Sequence, residues 1–185
     1  MYDEILEEAK TKMQKSVDFL ESEIRGLRSG RATPALVENI RVDYYGNPTP
    51  LRQMATISVP EPRTLAIKPY DTGAIKEIEK AIQTSKLGIN PQSDGKLIRL
   101  TVPMLSEDQR KKLVARLKEM AESSRVAIRG IRRDCIKMGE EAESESEITE
   151  DDLKRLKDAI QDCTKKSEEK IDKIVKAKST EIMES

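Results

Sequence analysis

The chain has 185 residues, enough for one domain of ordinary size or two small ones that share a core, and too few for a large enzyme. Charged residues make up 37% of the sequence and aromatic residues 3%, which favours long solvated helices over a thick globular interior. The 34 basic residues balance the 34 acidic ones, so no global field attracts nucleic acid, and a polyanionic partner must be bound by a local basic patch.

The first residues, MYDEILEEAK, are acidic and amphipathic, unlike a signal peptide or a transit peptide. No segment reaches the apolar length needed to span a bilayer. The two cysteines, Cys135 and Cys163, form neither a CxxC pair nor part of a metal-ligand set. We therefore expect a bacterial-type cytoplasmic protein with both thiols reduced, no metal, no cofactor and no contact with a membrane.

Residues 2–29 are predicted to form one long helix. Its apolar side chains recur at heptad spacing, which places them on one face: Leu6, Met13, Val17, Leu20, Ile24 and Leu27. The Ser29-Gly30 pair is expected to end this helix, because such pairs favour turns.

After Pro34 the pattern changes to alternation broken by turn residues, which predicts four short strands: NIRVDYYG, MATISVP, RTLAIKPY and KLIRLTVP. We interpret NPTP and LGINPQSDG as turns. Before the fourth strand, Ile75, Ile78 and Ile82 lie at helical spacing, and they predict a short helix that ends near Gly88.

Two more long helices follow. Ser106 and Gln109 form a capping box that begins the second helix, which is predicted to reach about Gly139. Thr149 and Asp152 form a similar pair at the start of the third. At about 1.5 Å per residue, each of these helices would be roughly 50 Å long. Polar helices with one apolar stripe need to bury that stripe against one another, which predicts an up-down-up bundle.

The predicted fold class is therefore α+β, with a long three-helix bundle, residues 1–30 and 105–185, and an inserted small β/α/β domain, residues 31–104. The chain crosses between these domains twice. Such a double linker, with few obvious apolar contacts, favours a hinge over a rigid interface. The predicted hinge residues are Gly30, Arg31, Pro103, Met104 and Leu105.

The second long helix carries a basic stripe. At 100° per residue, five side chains fall within about 60° of one another beside the core face: Lys111, Lys118, Arg125, Arg129 and Arg132. Arg133 lies next to them and Glu122 at the border, so pairs within this helix cannot neutralise most of the stripe. The planar fork of arginine suits phosphate oxygens, and a long helix would hold several along a nucleic-acid backbone. A second basic cluster near the hinge contains Arg25, Arg28 and Arg31.

An enzymatic function has little support in the sequence. The chain has no histidine, the usual base near neutral pH, and both cysteines lie on apolar helical faces. The acidic segment EEAESESEITEDD lacks the spacing of a calcium loop, and no Gly-rich phosphate loop is present. We find no catalytic constellation and expect a binding protein.

Several longer strings are more specific than any heptad: GLRSGRATPAL, VDYYGNPTPLRQMATISV, RTLAIKPYD, LGINPQSDGKLIRLTVPMLSEDQRKKL, RVAIRGIRRD and ITEDD. In these strings the chain resembles the ribosome recycling factor family over essentially its whole length. The resemblance implies an L-shaped, two-domain factor that binds the post-termination ribosome. With elongation factor G and GTP, such a factor splits the ribosome into subunits and releases mRNA and deacylated tRNA. GTP hydrolysis belongs to the partner.

The resemblance also implies that arginines of the second long helix contact large-subunit ribosomal RNA. The matching positions on this helix are Arg110, Arg129, Arg132 and Arg133. The basic stripe adds Lys118 and Arg125 to the candidates for RNA contact. The motif near the hinge adds Arg28 and Arg31. The region 31–105 would meet elongation factor G, and we expect a monomer. The loop GEEAESESE is more acidic than the family pattern, which argues against RNA contact there. Gly130 weakens its helix by up to about 1 kcal/mol relative to alanine, without a functional reason visible in the sequence.

The residues alone leave two other functions open. A coiled-coil scaffold would pair its apolar stripes with another chain and leave its arginines solvated or paired with glutamates of the other long helices. Such a scaffold would be oligomeric and indifferent to ribosomes. A general nucleic-acid binder would also retain free duplex DNA.

Overall fold

A computed structural model describes residues 1–184 of the chain. Their elements, in chain order, are α1 (Tyr2–Arg25), β1 (Arg41–Tyr44), β2 (Asn47–Pro50), α2 (Leu51–Met54), β3 (Ala55–Glu61), β4 (Thr64–Pro69), α3 (Ile75–Thr84), β5 (Gln92–Ser93), β6 (Ile98–Thr101), α4 (Glu107–Ser144) and α5 (Glu150–Glu184). Two 3₁₀ turns lie at Pro34–Leu36 and Thr72–Ala74. The predicted α+β class is confirmed. No helix in this part of the chain is long and apolar enough to cross a membrane.

The described chain divides into two compact units. One contains Met1–Leu27 and Glu107–Glu184, and the other contains Arg28–Ser106. In the first unit the helices α1, α4 and α5 pack in all three pairs. Burial of one large aliphatic side chain contributes about 1.5–3 kcal/mol, so the packed apolar stripes are the main source of stability for these helices. The most deeply buried side chains include Ile5, Met13, Leu20, Leu117, Ile128, Leu156, Ile160 and Ile171.

The end of α1 differs from the prediction, because the helix stops at Arg25 and not at Ser29-Gly30. The backbone N–H groups of Gly26 and Leu27 each donate, at 3.1 Å, to carbonyls three residues earlier. This tightening of the last turn closes the helix before Ser29. Gly30 instead takes a φ of 81°, in the left-handed region that favours glycine.

The predicted end of the second long helix is also wrong, because α4 runs on to Ser144. Gly139 does not end the helix. A Cβ atom at this position would lie 2.8 Å from Leu156 Cδ2 and 3.2 Å from Leu153 Cδ1. Glycine is therefore present to let α5 approach α4 closely.

The start of α5 confirms the predicted capping pair. The backbone N–H of Asp152 donates to Thr149 Oγ1 at 3.1 Å. In return, the backbone N–H and hydroxyl of Thr149 donate to Asp152 Oδ2 at 3.3 and 2.8 Å. The two residues thus satisfy each other's polar groups at the point where helical N–H groups have no partner in the helix.

The second unit contains two antiparallel sheets. One is the hairpin β1–β2, and the other has the strand order β3-β4-β6-β5. The interpretation of NPTP as a turn is wrong, because these residues form β2 and the turn lies at Tyr45-Gly46. The segment LGINPQSDG likewise contributes the short edge strand β5.

The short helix α3 buries Ile75, Ile78 and Ile82 in the core of this unit, as predicted. It ends at Thr84 rather than near Gly88, because the Ser85 N–H closes the last turn on the carbonyls of Ala81 and Ile82.

The chain enters and leaves the second unit side by side. The Ala32 N–H donates to the Pro62 carbonyl at 2.8 Å, and the Val102 N–H donates to the Arg63 carbonyl at 2.8 Å. Both ends of the unit are therefore fixed to neighbouring residues of the β3–β4 turn. Beyond these hydrogen bonds, Met104 is well exposed.

Candidate RNA-binding face of the helical bundle

The basic stripe lies on α4 beside the α5 helix. Its extent from Lys111 to Lys118, Arg125, Arg129 and Arg132 is about 32 Å at 1.5 Å per residue. Lys111 pairs with Glu107 of the same helix at 2.9 Å. Of the other basic residues in the stripe, some form ion pairs with acids of α5 and some do not.

Arg125 is neutralised by the neighbouring helix. Its Nη2 lies 2.5 Å from Asp172 Oδ1, and its Nη1 lies 3.5 Å from Glu122 Oε2. The hydrogen bond to Asp172 raises the pKa of the guanidinium above its usual value, against the opposing effect of burial. The Arg125 side chain is 26% exposed, the least of the ion-paired arginines.

Arg129 is also ion-paired. It contacts Glu122 Oε1 and Glu168 Oε1, each at 3.4 Å. The sequence prediction concerned pairs within α4 alone, and the structure adds two acids of α5, Asp172 for Arg125 and Glu168 for Arg129. The alternative, pairing with acids of the third long helix, holds for these two residues.

Arg132 has a neutral partner. Its Nη1 donates to Gln161 Oε1 at 3.0 Å, and its buried Nε has no hydrogen-bond partner among the described residues. Gln161 orients the guanidinium without cancelling its charge. Lys118 and Arg133 are exposed, and no ion pair or hydrogen bond involves their side chains in residues 1–184.

The helix register explains which charges stay free. The pairs Arg125–Asp172, Arg129–Glu168 and Glu140–Lys157 follow one antiparallel register, in which each step up α4 matches an equal step down α5. In the same register Arg132 is level with Lys165, and Lys118 is level with Ser179. Neither position supplies an acid. The sequence contained this signal in the spacing of Gln161, Glu168 and Asp172, which becomes visible only once the register of the two helices is known.

The other candidate arginines make hydrogen bonds to the backbone. Arg110 donates from Nη1 to the Met183 carbonyl at 3.4 Å, near the end of α5, where carbonyls lack helical partners. Arg28 donates to the carbonyls of Leu87 and Lys86 at 3.0 and 2.9 Å. Arg31 is exposed.

The predicted second basic cluster is divided between the units, because Arg25 belongs to α1 and pairs with Glu21 at 3.3 Å, whereas Arg28 and Arg31 belong to the other unit. The predicted hinge positions Gly30, Arg31, Pro103, Met104 and Leu105 also fall within Arg28–Ser106.

Chemistry at the two cysteines has no support in the geometry. Both are free thiols, and Cys135 is buried in the bundle core. Burial raises the pKa of the Cys135 thiol, so that the reactive thiolate is disfavoured. Within residues 1–184, no three His, Cys, Asp or Glu side chains are grouped so that they could hold a metal ion.

A long bundle with a basic, partly unneutralised face is typical of a binding protein. The family model described as ribosome recycling factor matches residues 20–183. The chain belongs to the ribosome recycling factor family, whose members are translation factors and not enzymes.

Relatives and solved structures extend over the whole chain. The ribosome-recycling factors of Thermotoga petrophila and Finegoldia magna are each 49% identical over 184 residues, covering 100% of both chains. A solution structure of the ribosome recycling factor is 41% identical, with a TM-score of 0.80 over 100% of this chain and 98% of that one. A second structure, 41% identical with a TM-score of 0.67 and 98% coverage of both chains, is described as models for the T. thermophilus ribosome recycling factor and the E. coli elongation factor G bound to the E. coli post-termination complex.

Proposed function

We propose that this chain binds the post-termination ribosome and, with elongation factor G and GTP, splits it into subunits, releasing mRNA and deacylated tRNA. Family membership over the full length supports this function, and the partner is the one described for the similar factor on the post-termination complex. The chain itself contributes binding, and the GTPase supplies hydrolysis. Its place of action would be the cytoplasm, where ribosomes work, and we expect a monomer.

The observation that carries the assignment of the RNA-binding face is the uneven neutralisation of the stripe. Lys118, Arg132 and Arg133 keep their full charge, because the α5 register offers them no acid. These three are our principal candidates for contact with phosphates of large-subunit ribosomal RNA. Arg125 and Arg129 would have to exchange surface ion pairs for phosphates, which costs little because such pairs contribute about 0–1 kcal/mol.

Arg110, Arg28 and Arg31 remain secondary candidates. The carbonyl hydrogen bonds of Arg28 fix its side chain without cancelling its charge. A phosphate could therefore still bind the outward nitrogens of its guanidinium. Arg31 would contribute from an exposed position at the start of the small unit.

We also propose that the two linkers form a hinge. The hydrogen bonds Ala32–Pro62 and Val102–Arg63 fix both linkers next to each other on the small unit. Two adjacent crossings allow rotation about a short axis while they prevent separation. Gly30, Arg31, Pro103, Met104 and Leu105 would absorb the change in backbone angles.

The test is ribosome binding by the double variant Arg132→Ala/Arg133→Ala, measured by co-sedimentation at several salt concentrations. Removal of one charged hydrogen bond costs about 1.5–3 kcal/mol, so we expect affinity to fall by at least about tenfold. The slope of log affinity against log salt should decrease by about 1 for each phosphate that the variant no longer binds.

Arg116→Ala is the matched control for this test. Arg116 is exposed on the same helix, about 160° around the axis from Arg132, and makes no ion pair among the described residues. We expect Arg116→Ala to bind normally. If Arg116→Ala lost about half as much binding free energy as the double variant, in proportion to the one charge it removes, only the overall charge of α4 would matter, and the assigned face would be contradicted.

The scaffold alternative is weakened by the packing of the bundle, in which α1, α4 and α5 bury their apolar stripes against one another. Those stripes are therefore already occupied within one chain. A competition experiment with free duplex DNA distinguishes a general nucleic-acid binder from the proposed function. Free duplex DNA would displace a general binder from ribosomes.

A further inference from the structure

The small unit contains a cavity of about 330 Å³ that the RNA-binding face does not involve. The volume lies at the lower end of the range of about 300–1,000 Å³ typical of ligand pockets. Its walls come from the end of the β1–β2 hairpin and from the segment that leads into α3: Asp43, Tyr44, Tyr45, Gly46, Asp71, Gly73, Ala74 and Glu77.

Two tyrosine rings form one wall of this cavity. The rings of Tyr44 and Tyr45 meet edge to face, with centroids 4.6 Å apart. Their hydroxyls lie 3.2 and 3.5 Å from Asp71 Oδ2, to which they donate. Tyr45 is 81% exposed, so a large aromatic surface faces solvent beside the cavity.

Asp71 provides a carboxylate wall beside the two tyrosine hydroxyls. The backbone N–H of Gly73 donates to Asp71 Oδ1 at 2.9 Å, which begins the 3₁₀ turn before α3. A Cβ atom at Gly73 would lie 3.1 Å from the same oxygen. The carboxylate therefore lies against backbone that has no side chain to cover it.

The charges of the cavity have no ion-pair partners among residues 1–184. Asp43, Asp71 and Glu77 form no ion pair, and neither does any other residue of 28–106, a range that the structure describes completely. Phosphates of RNA would be repelled by three carboxylates. Burial, together with the hydrogen bond to Asp71, raises the pKa of Tyr44, so its phenol stays neutral and does not add to the charge.

We propose that this cavity binds an arginine side chain of a protein partner. A planar guanidinium can stack on a tyrosine ring while its N–H groups donate to carboxylates, which matches the two kinds of wall. The identity of the partner rests on the proposed function, in which it is elongation factor G. The site itself does not depend on that identity.

The first experiment tests the cavity in the isolated full-length protein. N-acetyl-arginine amide is titrated while the tyrosine ring and backbone amide NMR signals are recorded, with the uncharged N-acetyl-citrulline amide as control ligand. We expect saturable shifts at Tyr44, Tyr45 and Gly73 with a Kd on the order of 1 mM, about −4 kcal/mol. Citrulline amide should cause no saturable shift.

The variant Asp43→Asn/Glu77→Gln removes two of the three charges and leaves the Asp71 turn intact. We expect that arginine amide no longer shifts its signals. The matched control is Glu79→Gln, because Glu79 lies on α3 two residues from Glu77 and does not line the cavity. Absence of shifts in the wild type, equal shifts with citrulline amide, or equally weakened shifts in both variants would overturn the proposal.

The second experiment measures ribosome splitting as a function of elongation factor G concentration. We expect the Asp43→Asn/Glu77→Gln variant to need about tenfold more elongation factor G for half-maximal splitting, as removal of one charged hydrogen bond predicts. Its affinity for ribosomes without elongation factor G should not change.

The two outcomes separate the cavity from the proposed function. If the wild type fails to split ribosomes, the proposed function fails, and the arginine titration still decides the cavity. An unchanged dependence of splitting on elongation factor G would overturn the role of the cavity as a protein-binding site. Tighter ribosome binding by the variant would also overturn it, because it would indicate that the cavity contacts RNA.

Discussion

Two glycines of α4, Gly130 and Gly139, lie in opposite surroundings. At Gly139 an added Cβ would lie 2.8 Å from a buried leucine, whereas at Gly130 no atom lies within 4 Å. The first glycine belongs to a closed apolar seam between α4 and α5. The second lies between Arg129 and Arg132 in sequence but faces at least about 100° away from both around the helix axis, where no atom would meet an added Cβ. The same residue type thus marks a structural constraint in one place and an open surface in the other.

The seam between α4 and α5 changes character along its length in the same way. Near the α4–α5 turn it is held by Leu156 against Gly139 and by the cap of Thr149 and Asp152. At the stripe the apolar packing of residues such as Ile128 continues, and surface ion pairs such as Arg125–Asp172 line the edge of the seam. A ligand cannot replace apolar contacts or helix caps. It can replace an exposed ion pair, because breaking such a pair costs only about 0–1 kcal/mol. Binding capacity therefore lies in the ion-paired edge of the seam at the stripe, and not in its apolar core.

The largest effect is expected for Gly139→Ala. An added methyl group forces Leu156 out of its packing, and overpacking of this kind costs about 1–3 kcal/mol, more than the gain of up to about 1 kcal/mol in helix propensity. We expect the free energy of unfolding, measured by urea denaturation, to decrease.

A double-mutant cycle sharpens this prediction. In a Leu156→Ala background, which by itself should cost about 2–5 kcal/mol, the obstructing side chain is absent. Gly139→Ala should then be clearly less destabilising, because only the contact with Leu153 Cδ1, at 3.2 Å, still opposes the propensity gain. The same destabilisation in both backgrounds would show that contact with Leu156 is not the reason for glycine at this position.

The sequence was sufficient for the long-range architecture because each strong pattern had one physical solution. Heptads such as that of α1 could only be buried against other helices, and the Thr149–Asp152 pair could only be satisfied at a helix start. The errors arose where a residue type has two uses. Gly139 was interpreted as a helix end although it serves close packing, and the prolines of NPTP indicated a turn although they lie in an edge strand, where a missing N–H is tolerated.

The candidate site was predicted in part. The helical period placed Lys118, Arg125, Arg129 and Arg132 on one stripe, since this depends on one helix only. The register between α4 and α5 determines which of these charges are neutralised. The helical period of one helix does not define that register. The cavity at Tyr44 and Asp71 depends on contacts between distant segments, so neither composition nor spacing indicated it.

An intermediate effect is expected for Thr149→Ala at the tip of the seam. Removal of a cap side chain costs about 0.5–2 kcal/mol, and Asp152 would be deprived of its main hydrogen-bond donor. Hydrogen bonds from Thr149 hold the pKa of Asp152 below its usual value. The stabilisation that this shift provides is present above the unfolded-state pKa of about 3.9 and is lost as the pH falls through the folded-state value.

The difference in unfolding free energy between wild type and Thr149→Ala should accordingly be larger at pH 7 than at pH 3. Urea denaturation at both pH values measures it. Ser144→Ala serves as a control near the same turn, since Ser144 is exposed and makes no hydrogen bond through its side chain in the described chain. A pH-independent difference for Thr149→Ala would contradict the role of the Asp152 carboxylate.

The smallest effect, and the one of opposite sign, is expected for Gly130→Ala. An alanine methyl group would meet open space in the free protein, so only the helix propensity changes, and the free energy of unfolding should rise by up to about 1 kcal/mol. Ala115→Gly, at an exposed position of the same helix, should lower it by a similar amount. If Gly130→Ala destabilised the protein as Gly139→Ala does, the open surroundings of Gly130 would be refuted. A gain at Gly130 beside a decrease at Gly139 would instead show that, within one helix, packing constrains the face that α5 covers and not the face of Gly130.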